Sequence, residues 1–375
     1  MESWVAAGAD HIAGRAEREL DALVAVSSPS GDLRAAEEVV AVARALLPEQ
    51  ASTERIPCST TGFAPDLLAT VTGQGEGAVL LLGHLDTVVA HGDHRPLTAD
   101  GPRLGGSGTV DMKGGDVVAL GILRVLAGEP ELFATAALLL VCDEEWRTQP
   151  FAHAERFAGY DACLCFEAGE RGPAGEEGVV VRRKAAGTLH VAATGTSSHS
   201  GSAPDRGHNA LLALAQAATG VAAHHDPGGD DRLTAVPTIL RSGEAINVVP
   251  ASGELFCDLR ADGLDAFDPV LAAIPAEIGG AALRAELVRR WPGMDTREAA
   301  AGVLARASQR LGRTILGVGR GGASDASHLA TTVAMTVDGL GPRGGGAHTP
   351  DEFVLRSSLR ERAEVALAIV SELLR

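Results

Sequence analysis

The stretch LLLGHLDTV, residues 80–88, places a histidine and an aspartate where an apolar run ends. Short apolar runs bounded by glycine and polar residues predict buried strands, here over Ala78–Leu85. Side chains two positions apart lie on one face of a strand, so His84 and Asp86 emerge together. Imidazole beside carboxylate indicates a metal site, although an isolated pair is also typical of a histidine held by a structural hydrogen bond.

Helix and strand patterns alternate on both sides of this stretch. Hydrophobicity with a helical period predicts helices, and short apolar runs predict strands. The helices are predicted at Glu17–Val26, Leu33–Leu47, Gly115–Leu126, Arg297–Leu311 and Ser357–Leu374, and the further strands at Ala134–Val141, Ala162–Phe166, Ile315–Val318 and Ala334–Val337. This alternation is typical of an α/β fold around a largely parallel sheet.

The middle of the chain has a different order of elements. They are a strand at Val179–Ala193, a helix at Asn209–Ala223, strands at Ala235–Leu240 and Glu254–Leu259, a helix at Leu264–Ile278 despite Pro269 and Pro275, and a strand at Leu283–Arg289. The order βαββαβ is that of a ferredoxin-like α+β unit. We therefore predict one domain formed by residues 1–178 and 292–375, with residues 179–291 inserted as a smaller second domain.

Composition and charge exclude several classes of function. A chain of 375 residues with 45% hydrophobic content can bury a large core. The formal net charge of −17 argues against binding nucleic acid, which needs a basic face. The sequence shows neither an export signal nor roughly twenty consecutive apolar residues, so we expect a cytoplasmic protein that does not bind membranes. The five cysteines are expected to be small buried side chains.

Further ionisable residues occur at the ends of predicted elements. Three consecutive acids, Asp143, Glu144 and Glu145, follow one strand, and Glu167 follows the next. Asp111 lies between a Gly-rich turn and a helix, and His348 lies on a Gly-rich loop. Each residue alone is also compatible with a helix cap or a surface position. Because open α/β sheets gather functional groups at the carboxyl ends of their strands, the shared pattern favours one common site.

Eight segments of the chain form a recognisable set. They are GHLDTV, GSGTVDMKGG, DEEW, FEAG, SSHSGSAPDRGHNA, INVVPASGELFCDLR, GGASDASHLA and GLGPRGGGAHTPDEFV. In order and spacing this set resembles the di-zinc exopeptidase and deacylase family, which contains acetylornithine deacetylase, succinyl-diaminopimelate desuccinylase, aminoacylases and glutamate carboxypeptidases. The resemblance implies a zinc-exopeptidase-like catalytic domain with a mixed central sheet flanked by helices, interrupted by the inserted domain.

The resemblance also implies a pair of metal ions. Two zinc ions, with Co²⁺ or Mn²⁺ as possible substitutes, would be bridged by the carboxylate of Asp111. The remaining ligands would be His84 and Glu167 at one ion, and Glu145 and His348 at the other. Asp86 would lie behind His84 and orient its imidazole.

Catalytic and substrate-binding roles follow from the same resemblance. Glu144 would be the general base for a water activated by the two cations, and His199 would donate a hydrogen bond to the oxyanion. In this family the inserted domain usually forms a homodimer, so His199 would act in the partner's site. Arg260 and Asn247 would bind the substrate's carboxylate. From spacing alone, His199 and Arg260 are also compatible with ordinary surface positions.

The expected reaction is hydrolysis of an amide bond in a small molecule, an N-acyl amino acid or peptide with a free carboxylate. The segment RRWPGMD, residues 289–295, favours a glutamate-carboxypeptidase-like enzyme. The alternatives are an N-acyl-amino-acid deacylase of the acetylornithine deacetylase or desuccinylase type, and a binding protein that kept the fold but lost catalysis. Trp146, Arg147 and the basic run at residues 182–184 depart from the family pattern, and we expect them to bear on substrate identity.

Overall fold

The structure, a computed structural model, describes residues 3–374. Its contacts divide into two compact units. The first unit comprises residues 3–182, 295–320 and 324–374, and the second comprises residues 183–294 and 321–323. The chain thus passes between the units at 182–183 and 294–295, and again on either side of residues 321–323. The sequence patterns predicted boundaries at 178–179 and 291–292.

The helices and strands of residues 3–374 follow one another in an α/β order. The helices are α1 (Ser3–Val24), α2 (Leu33–Ala45), α3 (Gly114–Ala127), α4 (Ala210–Ala222), α5 (Asp268–Ala272), α6 (Arg297–Leu311), α7 (Ala326–Leu329) and α8 (Arg356–Leu373). The strands are β1 (Ser52–Ile56), β2 (Asp66–Thr72), β3 (Ala78–His84), β4 (Thr98–Asp100), β5 (Arg103–Gly105), β6 (Thr135–Val141), β7 (Ala162–Cys165), β8 (Glu170–Arg171), β9 (Glu177–Arg183), β10 (Ala185–Thr194), β11 (Thr234–Ser242), β12 (Ser252–Ala261), β13 (Glu277–Ile278), β14 (Ala281–Trp291), β15 (Met294–Asp295), β16 (Ile315–Arg320), β17 (Thr336–Val337), β18 (Gly344–Gly345) and β19 (Phe353–Leu355).

The first unit is built on a six-stranded sheet with the order β1-β2-β6-β3-β7-β17. The pairs β6–β3, β3–β7 and β7–β17 are parallel, and β1–β2 and β2–β6 are antiparallel. The expected mixed central sheet is therefore confirmed. Since β3, β6 and β7 run in the same direction, the residues that follow them gather at one edge of the sheet.

Helix α3 holds the turn that contains Asp111 close to the carboxyl ends of the parallel strands. The helix packs on β3 and β6 and against α1 and α8. At its start, a Cβ on Gly115 would lie 1.8 Å from the carbonyl oxygen of Phe166 at the end of β7. Only glycine permits this approach, which holds the turn containing Asp111 beside the strand end that precedes Glu167.

The second unit is a ferredoxin-like fold. Its antiparallel sheet has the order β11-β12-β10-β14-β13, and α4 and α5 pack beside it. The order β10, α4, β11, β12, α5, β14 agrees with the predicted βαββαβ unit, and the two-residue strand β13 is an addition between α5 and β14.

Two predicted elements of this region are wrong in extent. The single strand predicted at Val179–Ala193 is two strands, β9 and β10, separated at Lys184. The long helix predicted at Leu264–Ile278 is a short helical turn followed by α5, which ends at Ala272. Pro269 is accommodated in the first turn of α5, but Pro275 lacks the N–H that a continuing helix needs.

Candidate functional site

The ends of β3 and β7 and the turn before α3 bring the first set of predicted residues together. His84 is the last residue of β3 and is 1% exposed. Its Nε2 lies 3.2 Å from Oδ1 of Asp111 and 3.8 Å from Oε1 of Glu167. The three residues come from separate segments of the chain and share one half of a polar cluster.

A second set meets the other oxygen of the same aspartate. Nε2 of His348 lies 3.1 Å from Oδ2 of Asp111 and 3.3 Å from Oε2 of Glu145. His348 has a positive φ of 63°, a backbone conformation that is uncommon for a residue other than glycine. The two oxygens of Asp111 thus face two separate groups, each with one imidazole and one further carboxylate.

The spacing of these atoms fits divalent cations. Zinc bonds to nitrogen and oxygen of about 2.0–2.1 Å in a tetrahedral arrangement place neighbouring ligand atoms about 3.3 Å apart. The contacts around Asp111 span 3.1–3.8 Å. Imidazole nitrogen and carboxylate oxygen are also the donor types that zinc accepts. The cluster therefore has the donor types and spacing to hold divalent metal, and His84, Asp111 and Glu145 each bring one ligand atom within 4.8 Å of one another.

The carboxylates around His84 and His348 shift the pKa values of both imidazoles. Hydrogen bonds with Asp111 and Glu145 raise the pKa of His348 to about 10. Burial lowers the pKa of His84, but its hydrogen bonds with Asp111 and Asp86 outweigh burial and hold it well above the usual range. The neighbouring carboxylates thus favour the protonated form of both imidazoles.

Asp86 contacts both His84 and the loop that follows β6. Nδ1 of His84 lies 3.0 Å from the backbone oxygen of Asp86 and 3.4 Å from its Oδ1. The carboxylate also accepts the backbone N–H groups of Glu144 and Glu145, each at 3.1 Å, and the hydroxyl of Ser30 at 2.7 Å. The bonds to the loop after β6 link two strand ends, and the sequence pattern gave no indication of them.

Glu144 lies next to the cluster but belongs to neither group around Asp111. Burial raises the pKa of its carboxyl well above the usual range; His84 opposes this rise, and the neighbouring Asp325 and Glu167 add to it. A carboxyl with this environment can exchange a proton nearer to neutral pH than an exposed glutamate can.

Sequence reasoning missed the role of Glu352. This residue is 4% exposed, and its carboxylate accepts backbone N–H groups from the turn that contains Asp111. Its position four residues after His348 was the only local signal.

Trp146 and Arg147, the two residues after Glu145 that depart from the family pattern, differ in exposure. Trp146 is 54% exposed. Arg147 is buried and donates to Asp143 at 2.7 Å and to Asp325 at 2.9 Å. These contacts give Arg147 a structural role beneath the site.

A second cluster of potential metal ligands lies beside Arg147. Cys58, Asp66 and Asp143 bring one ligand atom each within 4.8 Å of one another. Here the carboxylates already accept protein hydrogen bonds: Asp66 from His153, and Asp143 from Thr60 and Arg147. We therefore interpret this cluster as a satisfied internal network.

His199 lies on an exposed loop of the second unit. Its Nδ1 accepts the backbone N–H groups of Gly201 and Ser202, both at 3.1 Å. A nitrogen that accepts cannot carry the proton, so in the neutral ring the proton is on Nε2, which becomes a donor. The next residue, Ser200, donates its backbone N–H to the carbonyl of Asn247 at 3.0 Å. The structure thus brings the loops of His199 and Asn247 together.

Arg260 lies near the end of β12, on the same face as Asp258. Its Nε lies 3.1 and 3.2 Å from the two carboxylate oxygens of Asp258. Both bonds use Nε, and the Nη groups donate to no residue within 3–374. They are the part of the fork that a carboxylate ligand would use.

Comparisons with known proteins identify the family to which the chain is similar. A sequence model of the peptidase family M20/M25/M40 matches residues 80–372. Carboxypeptidase G2 of Pseudomonas sp. (strain RS-16) is 27% identical over 327 residues, 82% of this chain and 77% of that protein. A LysW-lysine/LysW-ornithine hydrolase of Sulfurisphaera tokodaii is 28% identical over 204 residues, 54% of each chain. The fold is similar to the crystal structure of aminopeptidase PepT from Bacillus cereus, with a TM-score of 0.74 at 20% identity over 97% of this chain and 99% of that one.

Among the helices of residues 3–374, none combines the length and the apolar composition needed to cross a bilayer.

Proposed function

The chain belongs to peptidase family M20/M25/M40, and from this membership we propose that it is a di-zinc hydrolase that cleaves amide bonds of N-acyl amino acids or small peptides with a free carboxylate. The observation that carries the proposal is the division of Asp111 between two groups of ligands, His84 with Glu167 and His348 with Glu145. A single structural ion would need only one such group.

Carboxypeptidase-like cleavage is the favoured activity. Its support is the similarity to carboxypeptidase G2, which extends over most of both chains. The second candidate is deacylation of an N-acyl amino acid, and the shorter similarity to a LysW-lysine/LysW-ornithine hydrolase is in keeping with it. A binding protein without catalysis is disfavoured because the proposed ligands and Glu144 are all present.

The proposed metal ligands are the four side chains around Asp111 together with Asp111 itself. Two zinc ions bound there, or Co²⁺ or Mn²⁺ in their place, would supply Lewis acidity that polarises the scissile carbonyl and favours deprotonation of a water. Asp86 would keep the imidazole of His84 in the tautomer that presents Nε2, since its backbone oxygen lies 3.0 Å from Nδ1.

Glu144 is the proposed general base. It would accept the proton of the attacking water on its carboxylate and deliver that proton to the leaving amine. Its support is its burial beside the cluster and the position of its backbone, which the hydrogen bond to Asp86 fixes.

His199 is the proposed donor to the oxyanion. The two backbone N–H groups on Nδ1 leave Nε2 as the N–H donor without any change of tautomer. We further propose that the protein is a homodimer formed through the second unit, and that His199 acts in the partner's site. Its support is the outer strand β11, where Val236, Ile239 and Leu240 are exposed apolar side chains.

Arg260 and Asn247 are proposed to bind the substrate's carboxylate. The Nη groups of Arg260 are available for a bidentate contact, and the ion pair with Asp258 orients its guanidinium. The cytoplasmic location stays a prediction.

Metal analysis and a substrate screen test the proposed function together. The purified protein, loaded with zinc and freed of excess metal, should contain about two ions per chain. It should release amino acids from dipeptides or N-acyl amino acids in a panel that varies the acyl group and blocks the carboxylate in matched compounds. Absence of bound zinc after loading would contradict the proposal.

A further inference from the structure

The turn that contains Asp111 depends on bonds from outside itself. It follows a Gly-rich segment in which Gly106 and Gly108 have positive φ values of 159° and 75°. The N–H of Thr109 is accepted within the turn by Gly106, but those of Gly108, Val110 and Asp111 are directed to a side chain from a distant segment. Something else must accept these N–H groups where they are buried.

Glu352 accepts three of them. Its Oε2 lies 2.7 Å from the nitrogen of Gly108, and its Oε1 lies 2.8 Å from that of Val110 and 3.0 Å from that of Asp111. Both oxygens of a carboxylate are acceptors, so this one side chain can satisfy all three N–H groups. The third bond acts on Asp111 itself, the residue proposed to bridge the cations.

Glu352 lies on the same loop as His348, another proposed metal ligand. Glu352 is four residues after His348 and directly precedes β19, which pairs with β5 before the turn. Its backbone oxygen also accepts the N–H of Gly106 at 3.1 Å. Asp111 and Glu352 are 241 residues apart in sequence, so these bonds are a direct link between the two loops.

We propose that Glu352 is a positioning residue that fixes the bridging carboxylate of Asp111 relative to His348, and so sets the spacing of the two proposed cations. The inference rests on the proposed function of the metal centre. Ligands must be held within about 0.5 Å of their productive geometry. Glu352 makes three hydrogen bonds to the turn of Asp111 and lies on the same loop as His348. These directional bonds fix the two loops more closely than packing alone would.

The chemistry of the carboxylate is specific at this position. In Glu352→Gln the amide nitrogen replaces one acceptor and faces a backbone N–H, so at least one bond becomes a contact between two donors. The turn must then move away, although the size of the side chain is unchanged. Asp351→Asn is the matched control, because Asp351 is an exposed acid directly before Glu352 in the chain.

The test compares these variants in the cobalt-loaded protein. We measure Co²⁺ affinity by competition with a chelator, the visible absorption spectrum of bound Co²⁺, and kcat and KM. Glu352→Gln should bind Co²⁺ roughly 10- to 100-fold more weakly, with altered absorption bands and a lower kcat at nearly unchanged KM. Asp351→Asn should match the wild type. Wild-type affinity and spectrum in Glu352→Gln would overturn the inference, whatever its thermal stability.

Hydrogen exchange on the wild-type chain gives a second test that needs no variant. The amides of Gly108, Val110 and Asp111 should exchange slowly, because a buried carboxylate accepts them. Exchange as fast as that of exposed loops would also overturn the inference. If the wild-type chain itself binds no cation, the proposed function fails; wild-type binding with an unaffected Glu352→Gln refutes only the role of Glu352.

Discussion

The carboxylate of Asp86 accepts the backbone N–H of Glu144, with 3.1 Å between Oδ1 and the nitrogen. Asp86 follows β3, and Glu144 follows the neighbouring strand β6. The bond therefore ties the segment that carries the proposed base to the segment that carries His84. A change at Asp86 should consequently affect catalysis through position, although this carboxylate is not among the proposed ligands.

Asp86→Asn should lower kcat/KM by roughly 10- to 100-fold. The N–H groups of Glu144 and Glu145 donate to different oxygens of Asp86, and an amide has an acceptor at only one of these two positions. The measurement is steady-state kinetics with metal content determined on the same sample. Ser30→Ala removes only the hydroxyl bond to Asp86 and should have a smaller effect. Unchanged kinetics in Asp86→Asn would contradict a positioning role.

Glu144→Gln and Glu145→Gln should fail in different ways. Glu144→Gln should keep both cations and lose roughly 10²- to 10⁴-fold in kcat, because only the proton acceptor is removed. Glu145→Gln should first lose metal, since its carboxylate faces His348. Metal analysis and kinetics on both variants separate the two effects. Turnover at the wild-type rate in Glu144→Gln would remove it as the base.

Arg260→Ala should raise KM by roughly 10- to 100-fold for substrates with a free carboxylate, the effect of losing a hydrogen bond between charged groups. The same amide with its carboxylate esterified or amidated should show little change. Arg284→Ala is the control, because Arg284 is an exposed arginine of the same sheet that pairs with Glu286. Equal losses on both substrates would show that Arg260 does not recognise the carboxylate.

His199→Ala should lose roughly 10²- to 10³-fold in kcat with both metals retained, as expected for one oxyanion donor. If the donor acts across a dimer, mixing this variant with Glu144→Gln should restore activity. Each mixed dimer then contains one site with an intact base and an intact histidine from the partner. Subunit exchange is verified by native mass spectrometry. Confirmed exchange without recovered activity would disprove the shared site.

Arg147→Ala should destabilise the protein by about 3–5 kcal/mol, because it leaves the buried carboxylates of Asp143 and Asp325 without their cation. Denaturant unfolding measures this change, and Arg156→Ala, at a largely exposed arginine, should cost about 1 kcal/mol or less. The ratio of kcat/KM between two substrates should stay the same. If the folded Arg147→Ala variant shows a changed ratio of kcat/KM between the two substrates, Arg147 contributes to substrate recognition.

Several features of this protein follow from the sequence by itself. Helix α6 begins and ends at Arg297 and Leu311 as predicted, and β3 and β6 differ from their predicted ranges by one residue at one end. Hydrophobic periodicity is a local property of the chain, so it identifies buried elements without knowledge of their partners. The same patterns place His84, Glu144 and Glu145 at strand ends, where the sheet brings them to one edge.

Which residues contact one another in the candidate site was decided only by the tertiary structure. That the two oxygens of Asp111 face different groups, and that Glu352 bonds to a turn 241 residues away, depends on contacts between distant segments. The burial of Arg147 between two carboxylates was equally invisible, since its partner Asp325 is 178 residues away. Sequence patterns report which side chains are available at each position. Their distances and shared hydrogen bonds are set only when packing fixes the strands and loops against one another.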